Sequence, residues 1–204
     1  MAFIFQPRVH NRDGSVATPD IAVERVLVVD PAANKPQFTP IPLDRLTTGT
    51  EVQQIGGAAH GSAAILLVAS SGGMLIGIGS NHIDASAPAN FTHQICAKPI
   101  CREVWRYRDV ADRWQDLRLR AWSGNARTEI LSTKLGAMMD PQKIVDRLGD
   151  GTTLAHGTAV LMSGFAASGD DAGARRFEIE LDDSGAERQL RMVYFISVLS
   201  LDVP

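Results

Sequence analysis

The sequence predicts an α+β fold that is mostly β, with a few short helices. Aliphatic and β-branched residues fall in short runs broken by Gly, Ser and Asp. Several runs alternate apolar and polar residues, the period of a strand with unlike faces. Only one segment carries a complete set of helix signals.

The elements follow in order. Val23 to Val29 is a β-branched run and reads as a buried strand. Gly61–Ala69 and Met74–Gly79 flank Ser70-Ser71-Gly72-Gly73, the composition of a hairpin joining two buried strands. Val110 and Trp114 mark a short helix between Val110 and Leu117. Leu117 to Trp122 alternates apolar and basic residues, predicting one solvated face. Asp140-Pro141 supplies an N-cap and a proline at the first helical position. Ile144, Val145 and Leu148 then form an apolar stripe, and Gly149 marks the stop. Phe177, Ile179 and Leu181 alternate with Glu178, Glu180 and Asp182, which predicts a strand with a wet acidic face. Asp182-Asp183-Ser184-Gly185 has turn chemistry. Leu190, Met192, Tyr194, Ile196 and Val198 share one face of a long final strand. Val193, Phe195 and Leu199 make its other face apolar too, so it should be central. Trp105, Trp114 and Trp122 read as core or interface. Residues 7–20 and 166–174 read as flexible. The expected organisation is an N-terminal arm over 1–22, partly flexible, and one domain over 23–204.

Composition narrows the function classes. The 204 residues carry 20 basic and 23 acidic side chains, a net charge of −3, so nucleic acid and anionic membranes are not expected partners. With 45% hydrophobic residues the chain can bury a core. The apolar stretch from Ile65 to Ile78 is interrupted by Ser and Gly and is too short for a membrane helix. The N-terminus has no basic region followed by a long apolar run, so the expected location is cytoplasmic. Cys96 and Cys101 are the only cysteines and read as free thiols.

Charge distribution points to a site. From Val52 to Ile83 there is no Asp, Glu, Lys or Arg. The plain reading is the buried centre of a sheet; it is also where a β-rich enzyme would keep a dry pocket. Gly79-Ser80-Asn81-His82-Ile83-Asp84 follows at its end. In an extended segment His82 and Asp84 share a face, an arrangement that suits a base and its orienter. A satisfied polar pair at a strand end is the plainer alternative.

Gly79–Asp84, then Gln94-Ile95-Cys96-Ala97-Lys98-Pro99, then Glu103-Val104-Trp105-Arg106-Tyr107-Arg108-Asp109-Val110, resemble an uncharacterised bacterial family. That family is related to the fumarylacetoacetate hydrolase-like superfamily. Gly157–Leu161 and Phe177–Leu181 continue the similarity in order. The resemblance covers roughly residues 55–200. It implies a mixed β-roll and a homodimer. It also implies chemistry on small oxo acids by hydrolysis, decarboxylation, hydration or isomerisation, usually with Mg²⁺ or Mn²⁺.

The chain departs from that pattern where the metal is held. The two glutamates of the superfamily's E-x-E strand fall on Ser62 and Ala64, and a following aspartate falls on Asn81. A hard divalent cation needs anionic oxygens. The expectation is therefore no metal and no other cofactor. An expected arginine is Ala85, and an S-K-Q triplet reads Thr92-His93-Gln94, while Asp84 and Lys98 keep the pattern. Phe165 stands where a threonine usually meets substrate, making the pocket less polar.

The expected catalytic residues are His82 as base, Asp84 as its orienter, and Asn81 or Lys98 as stabiliser of a developing enolate. The expected substrate-binding residues are His93, Gln94, Ser62, Phe165 and His60. Plainer readings are a solvated loop for His93, a turn for His60 and structural charge for Lys98. The leading function is a metal-independent enzyme of specialised metabolism that acts on a carbonyl-containing small molecule by proton transfer with elimination, isomerisation or cyclisation. The alternatives are a metal-dependent hydrolase or decarboxylase of a β-oxo acid or acylpyruvate, and a non-catalytic ligand-binding or partner subunit.

Overall fold

The computed structural model describes residues 1–30, 37–55, 59–84, 94–137, 140–148, 154–164 and 174–199. Two sheets dominate. The larger has eight strands in the order Val16–Ala17, Arg8–His10, Glu103–Arg106, Gly73–Ser80, Ala63–Ser70, Thr158–Met162, Arg25–Val29 and Phe38–Ile41. The smaller has five, in the order Thr128–Lys134, Arg118–Ser123, Arg176–Asp183, Arg188–Leu199 and Glu51–Ile55. Parallel and antiparallel pairs are mixed in both. The fold is thus mostly β, as the alternating and β-branched runs predict.

The uncharged segment forms the centre of the larger sheet. Ala63–Ser70 pairs in antiparallel register with Gly73–Ser80, Ala63 opposite Ser80. Its residues are apolar on both faces because both faces are covered. Ile65, Leu67, Ile76 and Ile78 face the smaller sheet and meet Phe177, Ile179, Tyr194 and Ile196 in one core. Ala64, Leu66, Val68 and Leu75 face a second core containing Phe5, Val9, Ile21 and Val23. Gly79 permits a close crossing: a Cβ there would lie 2.9 Å from Leu161 Cδ2 and 3.0 Å from the Pro99 carbonyl.

Asp140 caps the single α-helix among the described residues, Pro141–Leu148, by accepting the Gln142 amide at 2.7 Å. Gly149, its expected stop, lies outside the described residues. Between Val110 and Leu117 the chain forms a 3₁₀ helix, Ala111–Asp116, that buries Trp114. Trp105 and Trp122 are buried too.

Three expectations need correction. Residues 7–20 contain strands Arg8–His10 and Val16–Ala17, held because Val9 inserts into the second core and Arg8–His10 pairs with Glu103–Trp105. The expected turn at 182–185 lies further on, at Ser184–Glu187, because Asp183 is still paired with Arg188 across the sheet. The acidic face of Arg176–Asp183 is not wet. Glu178 is 0% exposed, covered by Arg127, Arg176 and Arg191. Residues 166–173, and with them most of the second expected flexible stretch, lie outside the described residues.

Candidate functional site

The central hairpin delivers its last residues to one end of the sandwich. Ser80 ends the strand, and Asn81, His82 and Asp84 follow. The Asn81 amide donates to the Ser62 carbonyl at 2.8 Å, tying the exit to the start of the partner strand. Ile83–Asp84 then pairs with Ala59–His60, placing His60 opposite Ile83. Lys98 arrives from a separate strand, Lys98–Pro99, which runs beside Leu46–Thr47. The structure therefore gathers Asn81, His82, Asp84, Lys98, Ser62 and His60 at one end.

Alternation separates their side chains. Ser80 and His82 point between the two sheets. The imidazole is 1% exposed and both of its nitrogens are engaged. Nε2 lies 2.7 Å from Gln54 Oε1, and Nδ1 lies 3.2 Å from the Tyr194 hydroxyl. With Gln54 accepting, Nε2 carries the proton and Nδ1 accepts from Tyr194. The Tyr194 oxygen in turn accepts from Ser80 Oγ at 2.9 Å, and Ser80 Oγ accepts the Ser62 amide at 3.1 Å. Burial pushes the imidazole down from 6.5 to about 4; the Lys98 and His60 charges act in the same direction, and Asp84 opposes them. His82 is a neutral, buried histidine.

This corrects the expected pair. Gln54 and Tyr194 orient His82, and Asp84 acts on it only through its field. The reason is geometric: the strand exit turns the imidazole into the core, while Asp84 remains half-buried on the next pair of strands. Asn81 donates from Nδ2 to Ser163 Oγ at 3.0 Å. Gln94 does not join the cluster; its amide reaches the Pro40 carbonyl at 3.5 Å on the edge strand. His93 and Phe165 lie outside the described residues.

Lys98 is the unusual member. It is 0% exposed, and its ammonium donates to the backbone carbonyl of His82. Among the described residues no carboxylate lies within ion-pair distance of it. Burial lowers it from 10.5 to about 8, with the Cys96 thiol opposing and Arg45 assisting. Burial also raises the neighbouring Cys96 thiol.

Gln54, Ser80, Tyr194 and Ser163 were not among the expected site residues. Two had a readable trace: Gln54 follows Val52 at an inward register, and Tyr194 places a hydroxyl on the face of Leu190 and Ile196. A buried polar atom needs a partner, so each pointed to an unidentified one.

Among the described residues the donor set does not fit a divalent cation of the Mg²⁺ or Mn²⁺ kind, since Ser62 and Asn81 offer a hydroxyl and an amide, not carboxylates. The described residues bring no three His, Cys, Asp or Glu together as ligands, and a buried lysine faces the same cluster. Two cavities lined by described residues lie at the other end of the hairpin. One, about 560 Å³, is bounded by Ser71, Arg106 and His156; the other, about 310 Å³, by Tyr107, Gln142 and Val145. No described helix is long and apolar enough to cross a membrane.

The architecture matches solved structures at low sequence identity. A candidate fumarylacetoacetate isomerase/hydrolase from Oleispira antarctica superposes with a TM-score of 0.67 at 11% identity, over 94% of this chain and 99% of that one. A 2-hydroxyhepta-2,4-diene-1,7-dioate isomerase from Mycobacterium marinum gives 0.65 at 14% identity, over 90% and 78%. A maleylpyruvate hydrolase from Sphingobium sp. SYK-6 gives 0.61 at 13% identity, over 91% and 75%. These likenesses establish a fumarylacetoacetate hydrolase-like fold. No curated protein matches the sequence. A family model does match, from residue 10 to residue 194, a span that includes the whole cluster at the hairpin's end. By that match the chain belongs to the family described as protein of unknown function DUF2848.

Proposed function

We propose that this chain is an enzyme that moves a proton on a small carbonyl compound without a divalent cation, leading to elimination, isomerisation or cyclisation. The observation that carries the reading is Lys98. A fully buried lysine beside no described carboxylate is suited to charge that a ligand develops. An enolate oxygen is such a charge. Its formation needs a base that substrate can approach. Both nitrogens of His82 are already taken by Gln54 and Tyr194, so its role is to hold the segment whose carbonyl grips Lys98. Asp84, half-buried and electrostatically linked to His82 and Cys96, is the proton acceptor in this reading. His60, on the paired strand, lies beside it.

The fold neighbours favour one second reading. They include proteins described as a hydrolase and an isomerase of unsaturated or oxo diacids, which supports a metal-dependent hydrolase or decarboxylase of an oxo acid. One experiment separates the two. Exchange of α-protons into D₂O is followed by NMR for pyruvate, oxaloacetate and an acylpyruvate, with and without EDTA. Exchange that persists in EDTA and falls about 100-fold in Lys98→Met and Asp84→Asn is the expected result. Activity lost in EDTA and restored by Mn²⁺ selects the second reading.

A further inference from the structure

We propose that the larger cavity, at the turn end of the central hairpin, binds a small zwitterion with an apolar body, of the amino-acid or dipeptide class. It lies a full strand, Gly73–Ser80, away from His82 and Lys98. It does not depend on the chemistry read at that other end.

Strand alternation sets the floor. Val104 and Leu75 belong to the second core, and Arg106 lies two residues beyond Val104 and opposite Leu75, on that same side. Val9, Ile21 and Leu75 line the cavity and are themselves buried, so the floor is apolar. At about 560 Å³ the space suits a small organic ligand.

Arg106 borders the cavity and is fixed by neutral acceptors. Its Nε donates to Asn11 Oδ1 at 2.7 Å and its Nη1 to the Gly72 carbonyl at 3.1 Å. Among the described residues it makes no ion pair, and its Nη2 has no acceptor. A guanidinium held in one orientation but not neutralised suits a ligand carboxylate.

Two carboxylates, Asp20 and Glu24, border the same cavity. Gln6 donates to Asp20 Oδ1 at 2.8 Å, a neutral contact that leaves the charge in place. Gly157 seats Glu24. The Glu24 amide donates to the Gly157 carbonyl at 2.8 Å, and a Cβ on Gly157 would lie 3.3 Å from Glu24 Cγ. Neither carboxylate lies within ion-pair distance of Arg106, although all three border one space. Opposite charges kept apart over an apolar floor match a molecule that carries both charges on an apolar body. A plain anion would also meet the two acids, and a plain amine would also meet the arginine.

The test is isothermal titration calorimetry on the full-length protein. The probes are L-phenylalanine and L-leucyl-L-leucine, at up to about 10 mM. Hydrocinnamate lacks the ammonium of phenylalanine, and phenethylamine lacks its carboxylate. The expected result is saturable binding of at least one zwitterion, with both single-charge compounds about 10- to 100-fold weaker than it. Binding by phenylalanine assigns the amino-acid class, and binding by the dipeptide alone assigns the longer class. Arg106→Gln should weaken the zwitterion by a similar factor, and so should the double variant Asp20→Asn with Glu24→Gln. Arg106 also ties Asn11 to Gly72, so its loss could loosen the turn. The acidic pair is exposed, and its variant keeps the test decisive if Arg106→Gln does not fold. Failure of both zwitterions to bind overturns the proposal. Equal binding of hydrocinnamate or phenethylamine also overturns it, as does zwitterion binding that the acidic variant leaves unchanged.

Discussion

His82 shows how burial decides what a residue can do. Its segment looked like a base beside an aspartate, and in the fold it is an enclosed neutral ring between an amide and a phenol. The consequence for stability has a definite sign. The folded state holds the ring near 4, while the unfolded chain protonates it around 6.5. Above 6.5 neither state binds the proton and stability is full. As pH falls from 6.5 to 4 the unfolded state alone takes it up, and stability drops by about 3 kcal/mol. Urea unfolding from pH 7 to pH 4 measures this, and His82→Asn should flatten the dependence. An NMR titration of His82 centred near 6.5 in the native protein would refute it. Lys98 follows the same rule at the alkaline end. Its neutral form is favoured by folding, so its contribution is full above 10.5, is lost as pH falls from 10.5 to about 8 while the unfolded chain alone is protonated, and changes no further below 8.

At the scale of single elements, strand Arg176–Asp183 is the clearest lesson. Its alternation correctly marked Phe177, Ile179 and Leu181 as inward. It also suggested that Glu178 meets water, and it does not. Burial alone would raise its carboxyl, but the guanidiniums of Arg127, Arg191 and Arg176 outweigh that and hold it at about 2. Arg127 also lies over the Trp122 ring, 4.1 Å from its centroid, completing a lid on the sheet face. Arg127 and Arg191 come from other parts of the chain, so no local period could show them. Glu178→Gln should cost about 2 to 3 kcal/mol, less than a fully enclosed pair because two of the arginines are half in water. Thermal or urea unfolding reads this directly, and a change within experimental error would show that the lid contributes little. The helix after Asp140 was legible for the opposite reason: its cap, proline and apolar stripe all lie within nine residues and act locally.

Across the whole molecule, the larger sheet needs cover on two sides. The smaller sheet supplies one, and the N-terminal residues supply much of the other through Phe5, Val9 and Ile21. Phe3–Phe5 pairs with Ile21–Val23, and Arg8–His10 extends the sheet. Deleting residues 1–22 should therefore yield a protein that unfolds or aggregates, because it bares the face of Ala64, Leu66 and Val68. A truncated chain with unchanged melting temperature and solubility would overturn this. The segment's polar composition concealed its role, since three buried apolar side chains separated by polar residues do not form a period.

By itself the sequence determined the class of fold, the hairpin at its centre, the capped helix and the uncharged stretch that ends at Asn81, His82 and Asp84. These depend on neighbours in the chain, or on apolar runs that can only be buried. Tertiary structure decided which side of each strand meets water, and hence what the polar residues do. Gln54 and Tyr194 stand 28 and 112 residues from His82 yet take both its nitrogens. Lys98 lies 16 residues away and is bound by His82's backbone carbonyl. Charge and tautomer follow from desolvation and from partners brought together by folding. Neither is encoded in local spacing.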